Sequence, residues 1–172
     1  MSVALPPPRT VPATALDFAI DAYAGVEARP GKGLRHARAV ADILADDGAD
    51  ATTVAAALLH DVVEDTPRTV DDVRAAFGDQ IALMVAALTE DVSIKRYAQR
   101  KRALRSRIAA AEPAVMDITV ADKVASLREA ARTATSISRR KLSHYRATLR
   151  LAQAAGASAG LVEELDRLLA RA

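Results

Sequence analysis

The chain has 172 residues, 51% hydrophobic and 27% charged, a composition that belongs to a single globular domain and excludes a disordered or fibrous chain. Its 24 Lys and Arg against 22 Asp and Glu leave a net charge of only +2, and aromatics are 3% with no Trp, so neither an all-over basic DNA or RNA surface nor a stacking platform for single strands is expected. There is no cysteine, which excludes disulfides, thiolate metal sites and Cys nucleophiles and fits a cytoplasmic setting. The longest apolar run, IALMVAAL at 81–88, is far short of the roughly 18 residues a membrane span needs, so no membrane partner is expected.

Residues 1–13 are Pro-rich and read as a disordered leader, with one domain over 14–172. Few β-branched alternating stretches, abundant Ala and Leu and only 7 Gly predict an all-α bundle of eight or nine helices. Thr14 caps a first helix to about Ala28, which RPGKG at 29–33 breaks. A second begins near Leu34, with Leu34, Ala37, Ala41 and Leu44 on one ridge, His36 at its border and Gly48 as a stop. The third, from Ala51 to Glu64, carries AAALL at 55–59, apolar all round and therefore central, and ends at Thr66-Pro67. Further helices are expected at 69–77, 79–90, 95–111, 113–130, 135–155 and 159–171.

The stretch HDVVEDT at 60–66 holds the chemistry. His60 and Asp61 stand at the end of the most apolar helix, where uncompensated polar groups are costly, and a divalent cation would compensate them. His60 with Glu64, and Asp61 with Asp65, are i, i+4 pairs, which on one helix project from adjacent stripes. His36 and Asp122 each sit among apolar helical neighbours and are candidates for the same space; the alternative is a packed, hydrogen-bonded histidine and an ordinary helix-face acid. Two imidazoles and two carboxylates form a mixed N/O set suited to Mn, Fe or Zn. A basic run follows: Lys95, Arg96, Arg100, Lys101, Arg102, Arg105 and Arg107. It covers more than one helix face, so only a subset can meet a pocket. Arg29, Lys32 and Arg35 form a smaller basic cluster before His36.

The order His36, His60-Asp61, Asp122 resembles the histidine-aspartate (HD) superfamily of metal-dependent phosphohydrolases. Within it, AALLHDVVEDT at 56–66, TVDDVRAAFGDQIALMVAALTED at 69–91, the Arg100-Lys101 pair and ADKVASLR at 121–128 are similar to the hydrolase domain of RelA/SpoT proteins and to stand-alone small alarmone hydrolases. The resemblance implies His36, His60, Asp61 and Asp122 as ligands of Mn2+ or another divalent transition metal. It implies Glu64 and Asp65 as the pair that orients and activates the attacking water, and Arg100 and Lys101, with Lys123 beside them, as phosphate contacts. The implied reaction is removal of the 3′-pyrophosphate of guanosine 3′-diphosphate 5′-diphosphate (ppGpp). Arg29, Lys32, Arg35 and Ser126 fall where the family surrounds the rest of the nucleotide. There the chain departs from the pattern: EARPGKGLRHA at 27–37 lacks the family's Tyr, and Ser126 replaces its Asn. A nucleotidase-like HD phosphohydrolase, or a nucleotide- or metal-binding module without turnover, are the alternatives. The expected partner is a nucleotide polyphosphate, and a homo-oligomer is compatible with the sequence.

Overall fold

In the computed structural model, residues 10–27 and 32–172 are described, and among them every regular element is a helix. The expectations for the leader and for Arg29 lie outside the described residues. Helix α1 (Val11–Tyr23) starts three residues before the expected Thr14, because the Thr10 hydroxyl accepts the Ala13 N–H as N-cap, and Pro12 is tolerated in the first turn; Thr14 instead donates to the Thr10 carbonyl. Helix α2 (Leu34–Asp46) follows Gly33, whose φ of +80° lies in the region that favours glycine and turns the chain so that His36 falls in the first helical turn.

The expected third helix is divided. Helix α3 (Ala51–Leu59), capped by Asp50 on the Thr53 N–H, stops before His60, and a single turn, α4 (Val62–Asp65), resumes after Asp61. The break has a local cause. The His60 Nδ1 donates to the Ala57 carbonyl at 2.7 Å, and the His60 backbone N–H reaches toward the same oxygen at 3.5 Å, so side chain and backbone compete for one acceptor. Asp61 then takes φ −102°, ψ −4°, outside the helical well.

Helices α5 (Val70–Phe77), with a Thr69/Asp72 capping box, and α6 (Asp79–Leu88) meet at Gly78. Helices α7 (Tyr97–Ala109), α8 (Pro113–Arg132), α9 (Arg139–Ala155) and α10 (Ala159–Ala170) complete the bundle. Helix α3 packs against α1, α2, α6 and α8, and α8 against α2, α6, α7, α9 and α10. As its all-apolar sequence predicts, α3 is central: Ala55, Ala56, Ala57 and Leu59 have no exposed surface. Nine residues are too few to hold a helix in water, so this one is stabilised by packing, with Ala side chains admitting the close approach of its neighbours. The consequence for function is placement: α2, the α3–α4 break and α8 bring His36, His60-Asp61 and Asp122 to one side of the core. Among the described residues no helix is long and apolar enough to cross a membrane.

Candidate metal centre

Among the described residues, His36, His60 and Asp122 each offer one ligand atom within 4.8 Å of the others, and both histidines are buried. His36 Nε2 lies 3.0 Å from Asp122 Oδ1, and the two imidazole rings are 5.5 Å apart, edge to face. Because Nδ1 of His60 is committed to the Ala57 carbonyl, Nε2 is the atom left to coordinate; it is buried, forms no aligned hydrogen bond, and stands 3.3 Å from Asp61 Oδ2. A buried imidazole nitrogen with a fixed tautomer, facing a second imidazole and a carboxylate, fits a divalent transition metal. Asp61 joins this group through His60 and is not one of the three that converge within 4.8 Å.

Cations hold the carboxylates in place. Lys32 donates to Asp61 and Lys123 to Asp122. Burial works against ionisation of Asp122, but Lys123 and then His36 outweigh it and keep its pKa well below the usual carboxylate range. Burial likewise opposes protonation of His60, and the adjacent Asp61 overcomes it, pushing the pKa up to about 9.

A cavity of about 50 Å³ opens on this group, lined by Lys32, His60, Asp61, Glu64, Asp122 and Lys123 and, from the far wall, by Glu90 and Lys101. By the measure of roughly 10–15 Å³ for one water it holds a few waters. Glu64 accepts the Glu90 backbone N–H at 2.6 Å, and burial followed by the Asp61 charge raises its pKa. Asp65, one residue on, is half-buried and does not line this cavity. The expected i, i+4 stripes on one helix are thus replaced by a broken helix whose pieces present His60, Asp61 and Glu64 to the same space.

Of the basic run, Lys101 lines the cavity and Arg100 is held beside it, while Arg96 and Arg102 are in solvent. Glu90 was not singled out in the sequence, yet its carboxylate receives both Arg100 Nε, at 2.5 Å, and Lys101 Nζ. No sequence signal marks it, since its partners lie 10 and 11 residues away across a loop. Arg35 and Ser126 line a different hollow of about 530 Å³ with Glu129, Arg132 and the segment 133–138; Arg35 also borders a third, of about 300 Å³, with His36 and Lys32. Arg35 is exposed and pairs with Glu129 at 2.8 Å. The cavity and the two hollows thus adjoin along α2 and α8, sharing Lys32 and Arg35. His144 of α9 is buried and accepts from Arg105.

A probable GTP pyrophosphokinase of Mycobacterium leprae is 40% identical over 98 residues, 55% of this chain and 12% of that protein. The guanosine-3′,5′-bis(diphosphate) 3′-pyrophosphohydrolase MESH1 of Mus musculus is 34% identical over 115 residues, 65% of this chain and 64% of that protein. The matched segment is thus a small part of the first relative and about two thirds of the second. Among solved structures, a metazoan ortholog of SpoT that hydrolyses ppGpp shares the fold, with a TM-score of 0.77 over 97% of this chain and 98% of that one at 24% identity. The Listeria monocytogenes EGD-e protein lmo0812 gives a TM-score of 0.68 at 29% identity over 78% of this chain and 95% of that one. The HD domain family model matches residues 15–157, a span that contains His36, His60, Asp61, Glu64 and Asp122, and the chain therefore belongs to the HD domain family.

Proposed function

We propose that the protein is a metal-dependent nucleotide pyrophosphohydrolase that removes the 3′-pyrophosphate of ppGpp, giving GDP and pyrophosphate, in the cytoplasm. The observation that carries this reading is the convergence of His36, His60 and Asp122, two of which, His60 and Asp122, line a cavity into which Glu64 also opens. The 3′-pyrophosphohydrolase activity for which MESH1 is named supports the choice of substrate. His36, His60 and Asp122, joined by Asp61, would hold Mn2+, which supplies electrostatic stabilisation of phosphoryl charge and acidifies water.

The chain's own groups divide the remaining work. Ala57 holds the His60 ring in its ligating tautomer. Glu64 is the general base: its orientation is fixed by the Glu90 N–H, and its raised pKa makes it a better proton acceptor than an exposed glutamate. We assign Asp65 to the same water-orienting role on the family resemblance alone, since its side chain does not line the cavity. Lys101 and Lys123, on the cavity wall, offset charge on the phosphoryl oxygens, with Arg100 beside them. Arg35 and Ser126, in the neighbouring hollow, contact the nucleoside side of the substrate, and Lys32 lies between the two spaces.

The test is incubation of the full chain with Mn2+ and a panel of guanosine and adenosine nucleotides, with products resolved by ion exchange. GDP and pyrophosphate from ppGpp are expected. Release of orthophosphate from a nucleoside monophosphate would instead identify a nucleotidase, a reading favoured by Ser126 and the exposed Arg35 at the nucleoside end. Metal binding without turnover of any nucleotide would leave a binding module.

A further inference from the structure

Two of the three cations assigned to phosphate, Arg100 and Lys101, are already in contact with an anion. Glu90 lies in the loop between α6 and α7, its side chain 16% exposed. One oxygen receives Arg100 Nε at 2.5 Å and the other receives Lys101 Nζ. Arg100 is further tied to the loop through the Ile94 carbonyl at 2.9 Å, which holds its guanidinium beside Glu90. Glu90 and Lys101 line the same cavity as His60 and Asp122, which puts this contact within the space a phosphoryl group would enter. The backbone N–H of the same residue holds Glu64, so the acid that neutralises the basic pair and the group that orients the base are one residue.

We propose that Glu90 is a resident anion that competes with the substrate's phosphoryl oxygens for Arg100 and Lys101, setting both substrate affinity and the release of phosphorylated product. This inference rests on the hydrolase reading. The physical case is an exchange of anions on one pair of cations. A carboxylate offers a single negative charge, whereas a diphosphate carries more and brings additional acceptor oxygens, so it can displace Glu90 from partly buried cations. A displaced carboxylate remains tethered at the wall of a cavity that Asp61 and Glu64 also line, and their like charges favour its return to the cations once the product loosens. The loop therefore weakens ground-state binding and assists departure. A mere structural brace makes the opposite prediction: removing Glu90 would let Arg100 and Lys101 swing away and weaken phosphate binding.

The experiment uses the full chain with Mn2+ and compares wild type, Glu90→Gln, Glu90→Asp and Glu90→Gln combined with Lys101→Met. Inorganic phosphate and pyrophosphate are titrated calorimetrically, and ppGpp hydrolysis is followed in steady state. Glu90→Gln keeps the backbone N–H to Glu64 and removes the competing charge, so both anions should bind about tenfold more tightly, the scale of one charge-assisted hydrogen bond. KM and kcat should fall together, with stronger inhibition by GDP. Adding Lys101→Met should cancel the gain. Glu90→Asp, too short to span both cations, should tighten phosphate binding by about threefold, and it decides the matter if Glu90→Gln does not fold. Unchanged or weaker anion binding, with raised KM, would overturn the proposal. The titrations need no turnover: tighter anion binding in a protein that hydrolyses no nucleotide would leave the Glu90 exchange standing and remove the hydrolase reading alone.

Discussion

His144 ties the stability of the protein to pH through a contact between α7 and α9. Arg105 Nη1 donates to its Nδ1 at 2.7 Å, so the ring is neutral with its proton on Nε2. The residue is buried, and burial, followed by the charges of Lys123, Lys101 and Arg105, pushes its pKa down from 6.5 to about 3. The unfolded chain binds a proton at this histidine below about pH 6.5, whereas the folded chain does not until about pH 3, so stability falls as the pH is lowered through that window. Each pH unit well inside the window is worth about 1.4 kcal/mol, and most of the fall between pH 7 and pH 5 lies inside it, which amounts to about 2 kcal/mol from this one group. The substitution that isolates it is His144→Gln, whose side-chain oxygen can still accept from Arg105 but does not titrate. Urea unfolding of wild type and variant at pH 7 and pH 5 gives four free energies, and any loss of packing common to both pH values cancels in the double difference. Wild type should lose about 2 kcal/mol more than the variant on acidification. Equal losses would show that His144 titrates alike in the folded and unfolded chain, which is incompatible with a buried ring that accepts from Arg105.

Further outcomes follow from the site. Glu64→Gln and Asp65→Asn should each reduce ppGpp turnover by at least about 10²-fold with metal content, measured by mass spectrometry, nearly unchanged. Mn2+ should raise the thermal midpoint of wild type, because it binds the folded state alone, and EDTA, His36→Ala or Asp122→Asn should abolish the rise. Ser126→Asn should change the ratio of kcat/KM between guanosine and adenosine substrates bearing the same phosphates by about 1 kcal/mol, roughly fivefold, while Arg100→Gln should change the two together.

The helices were legible because their signals are local. Apolar ridges and the stops at Gly78 and Thr66-Pro67 each act within a few residues of where they stand, so their effects are written in the order of the chain, whereas the first cap fell on Thr10 rather than on the expected Thr14. The ligand candidates were legible for a related reason: His36, His60, Asp61 and Asp122 are polar residues at positions whose sequence neighbours are apolar, and the first three are buried. Glu90 and His144 could not be read this way. Glu90 is an ordinary loop acid until α4 brings Glu64 to it and α7 brings Arg100 and Lys101, and His144 is an ordinary helix-face histidine until α7 covers it with Arg105. Their chemistry is created by contacts between residues from 10 to 39 positions apart, for which a single sequence carries no local mark.

The break at His60-Asp61 lies between these cases and explains why a straight helical reading of 51–64 fails. AAALLHDVVED has continuous helical propensity, so nothing in its pattern signals an interruption. An unbroken helix, however, turns by about 100° per residue and carries adjacent side chains to different faces. His60 and Asp61 could not then both look into one cavity. The observed step sets His60 Nε2 and Asp61 Oδ2 3.3 Å apart on the same wall, and α4 brings Glu64 there as well. The helix yields at this point because the His60 ring takes the Ala57 carbonyl that the helix would have used further along. The same hydrogen bond fixes the tautomer that leaves Nε2 able to ligate. One side chain therefore ends the helix and aims the ligand atom, and the four residues of α4 suffice for the rest, being held at Val62 by the core rather than by their own helical bonds.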